Sequence, residues 1–397
     1  MDDLLIRNVL LFGREVNVLI AGNRFKSIDA PANAAARRVI DASGMAILPP
    51  FYNTHTHAAM CLLRGYADDM PLHKWLTEYI WPYENDMTSA DIHEGSRIAV
   101  REMIHTGTVF FSDMYFDIDE TIRVVEDYGI RAAIGVTFID SHSKSQLAEK
   151  LEVLDHWSDP TGGRISLTVA PHSVYTVSPD LLVRCAEVAR KKNFKLHIHV
   201  SETRKEVDDC LKDHGATPVR YLDKLGVLGP NVIAAHVVHV DKEEAAILAE
   251  RGVTVSHCPC SNMKLASGVF PYKTLHDAGC RITLGTDGAS SNNNLDMREE
   301  MKFAALLAKV SSNDPETMPA HEALEMATRS GAEAFGIDAG LIEKGKLADA
   351  LLVRLDDERM QPCHHLVSNW VYAAGSGIID TVICDGRIIM ENKTLTV

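Results

Sequence analysis

His55 and His57 lie two apart in the segment FYNTHTH. On an extended strand, residues two apart point to the same face, so the pair forms a two-toothed clamp for a metal ion. Two histidines hydrogen-bonded at a strand end would read the same way. The sharper signal is that further polar residues close other, independent apolar runs: His172, His199, His236 and Asp287, with Glu202 three residues beyond His199. Three imidazole nitrogens and one carboxylate suit a single divalent ion, Zn²⁺ first and Fe²⁺ second, with one position left for water.

Something must bring these strand ends together. From about Pro50 to Gly340 the sequence alternates strand-like runs with longer helical stretches such as Thr121 to Tyr128, Pro179 to Lys192 and Lys242 to Arg251. Eight strands are read: AILPPFYNTHTH, TVFFSDMYF, RAAIGVTFID, RISLTVAPHS, FKLHIHVSE, NVIAAHVVH, VTVSHCPC and RITLGTDGA. Eight βα units in this length predict an α/β fold, a (β/α)8 barrel, in which the carboxyl ends of all strands face one mouth. Residues 1–49 and 341–397 are instead short apolar runs separated by turns, and Asp385-Gly386 is a hairpin signal. The two ends are expected to form one small composite β-sandwich, with residues 50–340 inserted between its parts as the barrel.

Composition sets the outer bounds. The chain has 397 residues, 46% hydrophobic and 24% charged, an ordinary globular balance that excludes a disordered chain. Its 55 acidic against 40 basic residues leave a net charge of −15, which repels phosphate backbones and anionic lipid. Nucleic acid and membrane are therefore not expected partners. The N-terminal stretch lacks a basic, then apolar signal sequence, and no apolar run reaches spanning length, so a cytoplasmic location is expected. Eight Cys without a CxxC pair read as buried free thiols.

The sequence resembles the amidohydrolase superfamily and, within it, the methylthioadenosine/S-adenosylhomocysteine (adenosine-type) deaminase family. The motifs that carry the resemblance run through nearly the whole chain: LIRN, FYNTHTHAAMCLLRG, HKWL, WPYE, APHS, HIHVSET, AAHVVH, SHCPCSNMKLASG, GTDGASSNNNLDM and DTVICDGRII. The resemblance implies one metal ion held by His55, His57, His199 and Asp287, with Glu202 and His236 as catalytic partners. It implies Trp75 and Glu84, from the loop after strand 1, as substrate contacts, with Glu84 on ribose hydroxyls. His172 and Ser291 join them, and Glu202 also touches the substrate. A small nucleoside is the partner so implied, and a homo-oligomer is the assembly found among relatives.

The chemistry asks for these groups. Deaminating an adenine-type ring needs hydroxide at C6, a proton at N1 and a stabilised tetrahedral centre. A divalent ion brings the pKa of its water to about 7. Asp287 can take a proton from that water, Glu202 can shuttle one to N1, and His236 can steady the developing oxyanion. The expected reaction converts methylthioadenosine, 5′-deoxyadenosine or adenosine, and behind them S-adenosylhomocysteine, to the inosine analogue plus ammonia. Strand 4 has no Lys to bridge a second metal, and His257-Cys258-Pro259-Cys260 lacks the spacing of zinc cytosine deaminases. Relatives that take S-adenosylhomocysteine use Arg after strand 3, whereas this chain reads Gly135-Val136-Thr137-Phe138 with Lys144 as the only nearby cation. Val136 and Phe138 would favour a neutral 5′ substituent, because an unpaired carboxylate in a closed pocket is costly.

Two alternatives stay open at this point: a deaminase or chlorohydrolase for guanine, pterin, cytosine or triazine rings, and a catalytically inactive barrel that serves as a binding or scaffold subunit. His197 is read as packing behind the metal ligands, His239 and His257 as structural, and Cys258 and Cys260 as packing. Of the 18 histidines, three are given to metal, one to catalysis and one to substrate.

Overall fold

The computed structural model describes residues 2–396 and contains two sheets. Eight parallel strands form the first: β1 (Phe51–Thr56), β2 (Thr108–Tyr115), β3 (Arg131–Phe138), β4 (Ile165–Pro171), β5 (Lys195–Val200), β6 (Val232–His236), β7 (Thr254–His257) and β8 (Arg281–Leu284). They pair in chain order, as a barrel requires. β8 returns to β1 at the mouth, where the Asp287 amide donates to the His55 carbonyl at 2.9 Å. The approach is close enough that a Cβ on Gly285 would lie 2.9 Å from the His55 amide nitrogen, so only glycine fits there.

The strands are near-continuously buried because helices cover their outer faces. Helix Pro179–Lys192 shows the pattern, burying Leu182, Cys185, Ala186 and Ala189 and leaving its Lys and Arg outside. Helices Ile118–Tyr128 and Lys242–Glu250 fall where the sequence places them. The barrel interior is polar: Thr54 Oγ1 meets Ser256 Oγ at 2.6 Å and Thr283 Oγ1 at 2.8 Å.

Both ends of the chain build the second sheet. Strands Asp2–Leu11, Arg14–Ala21, Arg24–Ser27, Ala36–Asp41 and Met45–Leu48 join Ala350–Arg354, Ile379–Cys384, Arg387–Glu391 and Thr394–Leu395. One face gathers Leu4, Ile6, Val18, Ile20, Leu352 and Ile383 into a core of its own. The seam between the two ends is the antiparallel pairing of Met45–Leu48 with Ala350–Arg354. Asp385-Gly386 turns the expected hairpin, both residues having positive φ (53° and 74°).

The structure corrects one strand reading. AILPPFYNTHTH is two strands, broken at Pro49-Pro50: the first half belongs to the terminal sheet and the second to the barrel. Two successive prolines lack the N–H groups a continuous ladder needs. All eight Cys are free as expected, but Cys260, Cys280 and Cys363 are half-buried rather than buried.

Candidate functional site

Of the ten residues singled out above, nine line one cavity of about 740 Å³ at the barrel mouth. The tenth, His55, lies beneath it and is fully buried. Six of the residues arrive from five strand ends: His55 and His57 from β1, His172 after β4, His199 from β5, His236 from β6 and Asp287 after β8.

The three imidazoles are oriented from behind. His57 Nδ1 donates to the Met114 carbonyl at 2.6 Å, and His199 Nδ1 donates to the His172 carbonyl at 2.7 Å. His55 Nδ1 is hydrogen-bonded to His197 Nε2 at 2.9 Å. With Nδ1 occupied, each ring turns Nε2 toward the shared centre, which fixes the tautomer a metal ligand needs. His197 thus stands behind His55, as the sequence reading has it, and meets Ser112 Oγ on its far side at 3.2 Å.

Asp287 Oδ1 lies 3.4 Å from His55 Nε2 and 3.2 Å from His57 Nε2. Corners of a tetrahedron with bonds of about 2.0–2.1 Å are ~3.3 Å apart, so this spacing fits a zinc-like ion. Ligand atoms of His55, His57 and His199 lie within 4.8 Å of one another, as do those of His55, His236 and Asp287. His55 Nε2 is buried with no hydrogen-bond partner, a cost a metal bond would remove. Burial pulls His55 down to about 4. Burial also acts against a proton on His57, but the hydrogen bond and charge of Asp287 outweigh it and raise that ring to about 9. The same contacts hold Asp287, against its own burial, well below the usual carboxylate range. The site thus keeps an ionised carboxylate against imidazole nitrogens, the donor set a divalent cation takes.

Glu202 is buried beside this cluster, its Oε2 3.8 Å from His236 Nε2. Burial raises its pKa, and the Asp287 charge adds to that. It does not cap the following helix. That task falls to Thr203, whose hydroxyl accepts from the Glu206 amide at 3.2 Å. Glu84 is held by the Tyr115 hydroxyl, which donates to Oε1 at 2.7 Å. His172 Nδ1 is engaged by Ser173 and Thr176 hydroxyls at 3.1 and 3.0 Å, and burial drops the ring to about 3, leaving it neutral. Trp75 both packs and lines the cavity: it is buried, and its Nε1 donates to the Ala67 carbonyl at 3.0 Å. The Ser291 hydroxyl donates to Asp287 Oδ2 at 3.1 Å.

Three of the strands that converge here end in left-handed residues: Ser201 (φ 52°) after β5, His236 and Val237 (71° and 51°) at the end of β6, and Asp287 (61°) after β8. A β-branched Val there is strained by roughly 1–3 kcal/mol, and such strain gathers where side chains are aimed at a ligand.

Sequence reasoning missed several residues that orient this site. Ser261 donates to Asp287 Oδ2 at 2.6 Å, and the Asn262 carbonyl oxygen accepts from His236 Nδ1 at 2.9 Å. Both sit on the short helix Pro259–Lys264 after β7, inside the SHCPCSNMKLASG segment. Asp113 on β2 accepts from the Ala58 amide at 2.7 Å, and burial raises its carboxyl to about 6. Partners separated by 26 residues (Ser261 and Asp287, His236 and Asn262) or 55 (Ala58 and Asp113) carry no periodic signal in the sequence. His239, bonded to the Ser267 carbonyl at 2.6 Å, and His257, stacked on Phe270 with centroids 3.8 Å apart, have the packing roles expected of them.

The reading of strand β3 shifts by one residue. Thr137 lines the cavity, while Val136 and Phe138 face the hydrophobic core, because alternate residues of a strand take opposite faces. The lining contains no Lys or Arg among the described residues, and Ile139 and Ser141 continue it.

The amidohydrolase family profile matches residues 46–389. A 5-methylthioadenosine/S-adenosylhomocysteine deaminase of Pelotomaculum thermopropionicum is 45% identical over 387 residues, spanning 96% of this chain and 89% of that protein. A 5′-deoxyadenosine deaminase of Methanothermobacter thermautotrophicus is 45% identical over 389 residues, spanning 97% and 91%. Among solved structures, an adenosine deaminase from Xanthomonas campestris with bound zinc is similar at a TM-score of 0.94 and 35% identity, covering 99% of this chain and 94% of that one.

Proposed function

The chain belongs to the amidohydrolase family, and on that premise we propose that it is an adenosine-type aminohydrolase, replacing the 6-amino group of the purine by oxygen and releasing ammonia. The observation that carries the reading is Glu202: a buried carboxyl whose pKa burial raises, 3.8 Å from His236, in the same cavity as Glu84 and His172. The similarity to deaminases of methylthioadenosine, 5′-deoxyadenosine and adenosine over nearly the full chain supports it.

His55, His57, His199 and Asp287 would hold one divalent ion. Zn²⁺ is the ion proposed, supported by the donor types and by the zinc of the Xanthomonas relative. Such an ion supplies Lewis acidity that lowers the pKa of water to about 7.

The chain's own residues then share the proton traffic. Asp287 accepts a proton from the attacking water as its oxygen bonds to C6. Glu202, whose carboxyl burial shifts toward the protonated form, delivers a proton to ring N1. His236, held by Asn262, steadies the charge that gathers on the new oxygen. Asp287 passes the proton it took to the 6-amino group, the C6–N bond breaks and ammonia departs, while the new hydroxyl returns a proton to Glu202 as the C6 carbonyl forms. Glu84 keeps one oxygen on Tyr115 and offers the other to ribose hydroxyls, while His172 presents Nε2 to the purine or ribose. Trp75 closes the wall above the ring. Ser291, bonded to Asp287, sets the direction of that carboxylate and touches the substrate from the same side.

With no cation in the lining, neutral 5′ groups (methylthio, deoxy or hydroxyl) are placed ahead of the charged tail of S-adenosylhomocysteine. Among the described residues no helix is long and apolar enough to cross a membrane. A cytoplasmic location is proposed, and also a homo-oligomer, the latter supported by the apolar stripe Phe303, Leu306 and Val310 exposed on helix Met297–Ser312.

The test is ammonia release by zinc-loaded protein from adenosines, guanine, pterins and triazines, with Glu202→Gln as control. Turnover of the adenosines that the control loses is expected. Faster turnover of another ring, or full activity in the control, would overturn the assignment.

A further inference from the structure

Three helices of this chain begin with a reciprocal capping box: Thr88 with Asp91, Ser143 with Gln146 and Asp241 with Glu244. In each, the third helical residue reaches back to the backbone N–H of its own cap. Helix Arg204–His214, which follows β5, has the same ingredients in Thr203 and Glu206 but uses them differently. Thr203 accepts from the Glu206 amide, yet the Glu206 carboxylate passes its cap and reaches further upstream. Its Oε2 accepts from the Glu202 amide at 2.7 Å and its Oε1 from the Ser201 amide at 2.8 Å.

Those two amides lie where the chain leaves β5 through the left-handed Ser201. The Ser201 carbonyl is held as well, accepting from the Val238 and His239 amides at 3.1 and 3.0 Å. A conformation unfavourable for serine is thus fixed on both sides of one peptide. Ser201 is fully buried and Glu206 nearly so, and Glu206 does not line the cavity. No other acceptor is bonded to these two N–H groups among the described residues.

We propose that Glu206 is a positioning residue for the proton transfer: by gripping the amides of Ser201 and Glu202 it fixes the turn that aims the Glu202 carboxyl at the substrate ring. This rests on the reading of Glu202 given above. A carboxylate is needed because both of its oxygens must accept; an amide can offer only one.

The test is Glu206→Gln in the zinc-loaded protein with 5′-methylthioadenosine, with Glu206→Asp as a milder second variant that keeps the charge but shortens the reach. Glu206→Gln is expected to lower kcat on the order of 10- to 100-fold, the range a small misplacement of a reacting group costs, with KM within about twofold. Glu206→Asp falls between it and the wild type. In a Glu202→Gln background the same change should cost less than about twofold, since there is no aimed proton left to lose. Amide hydrogen exchange at Ser201 and Glu202, measured without substrate, should rise about tenfold or more in Glu206→Gln and remain at the wild-type rate in Glu202→Gln. Equal losses of kcat in both backgrounds, or unchanged exchange at the two amides, would overturn the proposal. If the wild type released no ammonia from any adenosine, the reading of the reaction would fail and this role with it. That outcome is distinct from an active wild type whose Glu206→Gln variant keeps its kcat.

Discussion

The barrel buries charged and polar groups at both of its ends, and it treats them in opposite ways. At the amino ends of the strands, Arg131 donates to Asp349 through Nε and Nη2 at 3.1 and 3.3 Å and to Asp385 at 2.7 Å. Asp349 also accepts from the Tyr52 hydroxyl and the Asp385 amide at 2.7 and 2.6 Å. The whole set ties the barrel to the terminal sheet. At the carboxyl ends, by contrast, His55 Nε2, Asn262 Nδ2 and His257 Nδ1 are buried without partners, and strand ends leave through strained residues. At one end the buried charges satisfy one another, and at the other His55 Nε2 is left beside Asp287 without a protein partner, where a ligand would bond it. Stability is concentrated where the groups are paired, and chemistry where they are not.

Substitutions at the two ends should therefore fail in different ways. Glu202→Gln should lose about 10²–10⁴ in kcat, the usual span for a general acid, while its urea midpoint stays close to wild type. A large fall in stability instead would erase the contrast. Arg131→Met leaves the buried Asp349 charge without its cation, and should cost about 3–5 kcal/mol in urea unfolding with kcat per folded molecule unchanged.

A subtler difference lies in pH. Glu300, which accepts from the Cys260 amide and from Asn292 close to the mouth, is fully buried, and burial raises its carboxyl from 4.5 to about 8. A folded value above the unfolded one means the native chain binds that proton more tightly. Its contribution is full below 4.5 and is lost as pH climbs through about 8. Glu300→Gln should remove a slope of at most ~1.4 kcal/mol per pH unit, read from unfolding curves across that window. An identical slope in the variant would place the effect elsewhere. The smallest expected effect concerns the cavity: kcat/KM for S-adenosylhomocysteine should fall about tenfold below that for methylthioadenosine, for want of a cation in the lining. The reverse order would mean that a cation outside the lining reaches in.

Much of the architecture was legible because it is periodic. Strand runs, helical stretches and the Asp385-Gly386 turn each leave a local pattern, and His55 and His57 advertise a shared face by their spacing. The supporting residues leave no such pattern. Ser261 and Asn262 look like ordinary polar residues of a short helix, and only the approach of β6 and β8 gives them Asp287 and His236 as partners. Glu206 was hidden differently, since its place after Thr203 matches an ordinary helix cap. Val136 and Phe138 were misplaced by one position of strand alternation, a choice that composition alone does not make.

The seam between Met45–Leu48 and Ala350–Arg354 has a consequence for how the chain is made. Its two strands are separated by about 300 residues, so at ribosomal speeds the first waits roughly 15–60 s for the second to be synthesised. Throughout that interval the early strands present an open, apolar edge to whatever else is in solution. Completion of the last fifty or so residues is therefore the step that shields it, and a ribosome stalled late in the message would release a chain with a nearly finished barrel and an aggregation-prone flank.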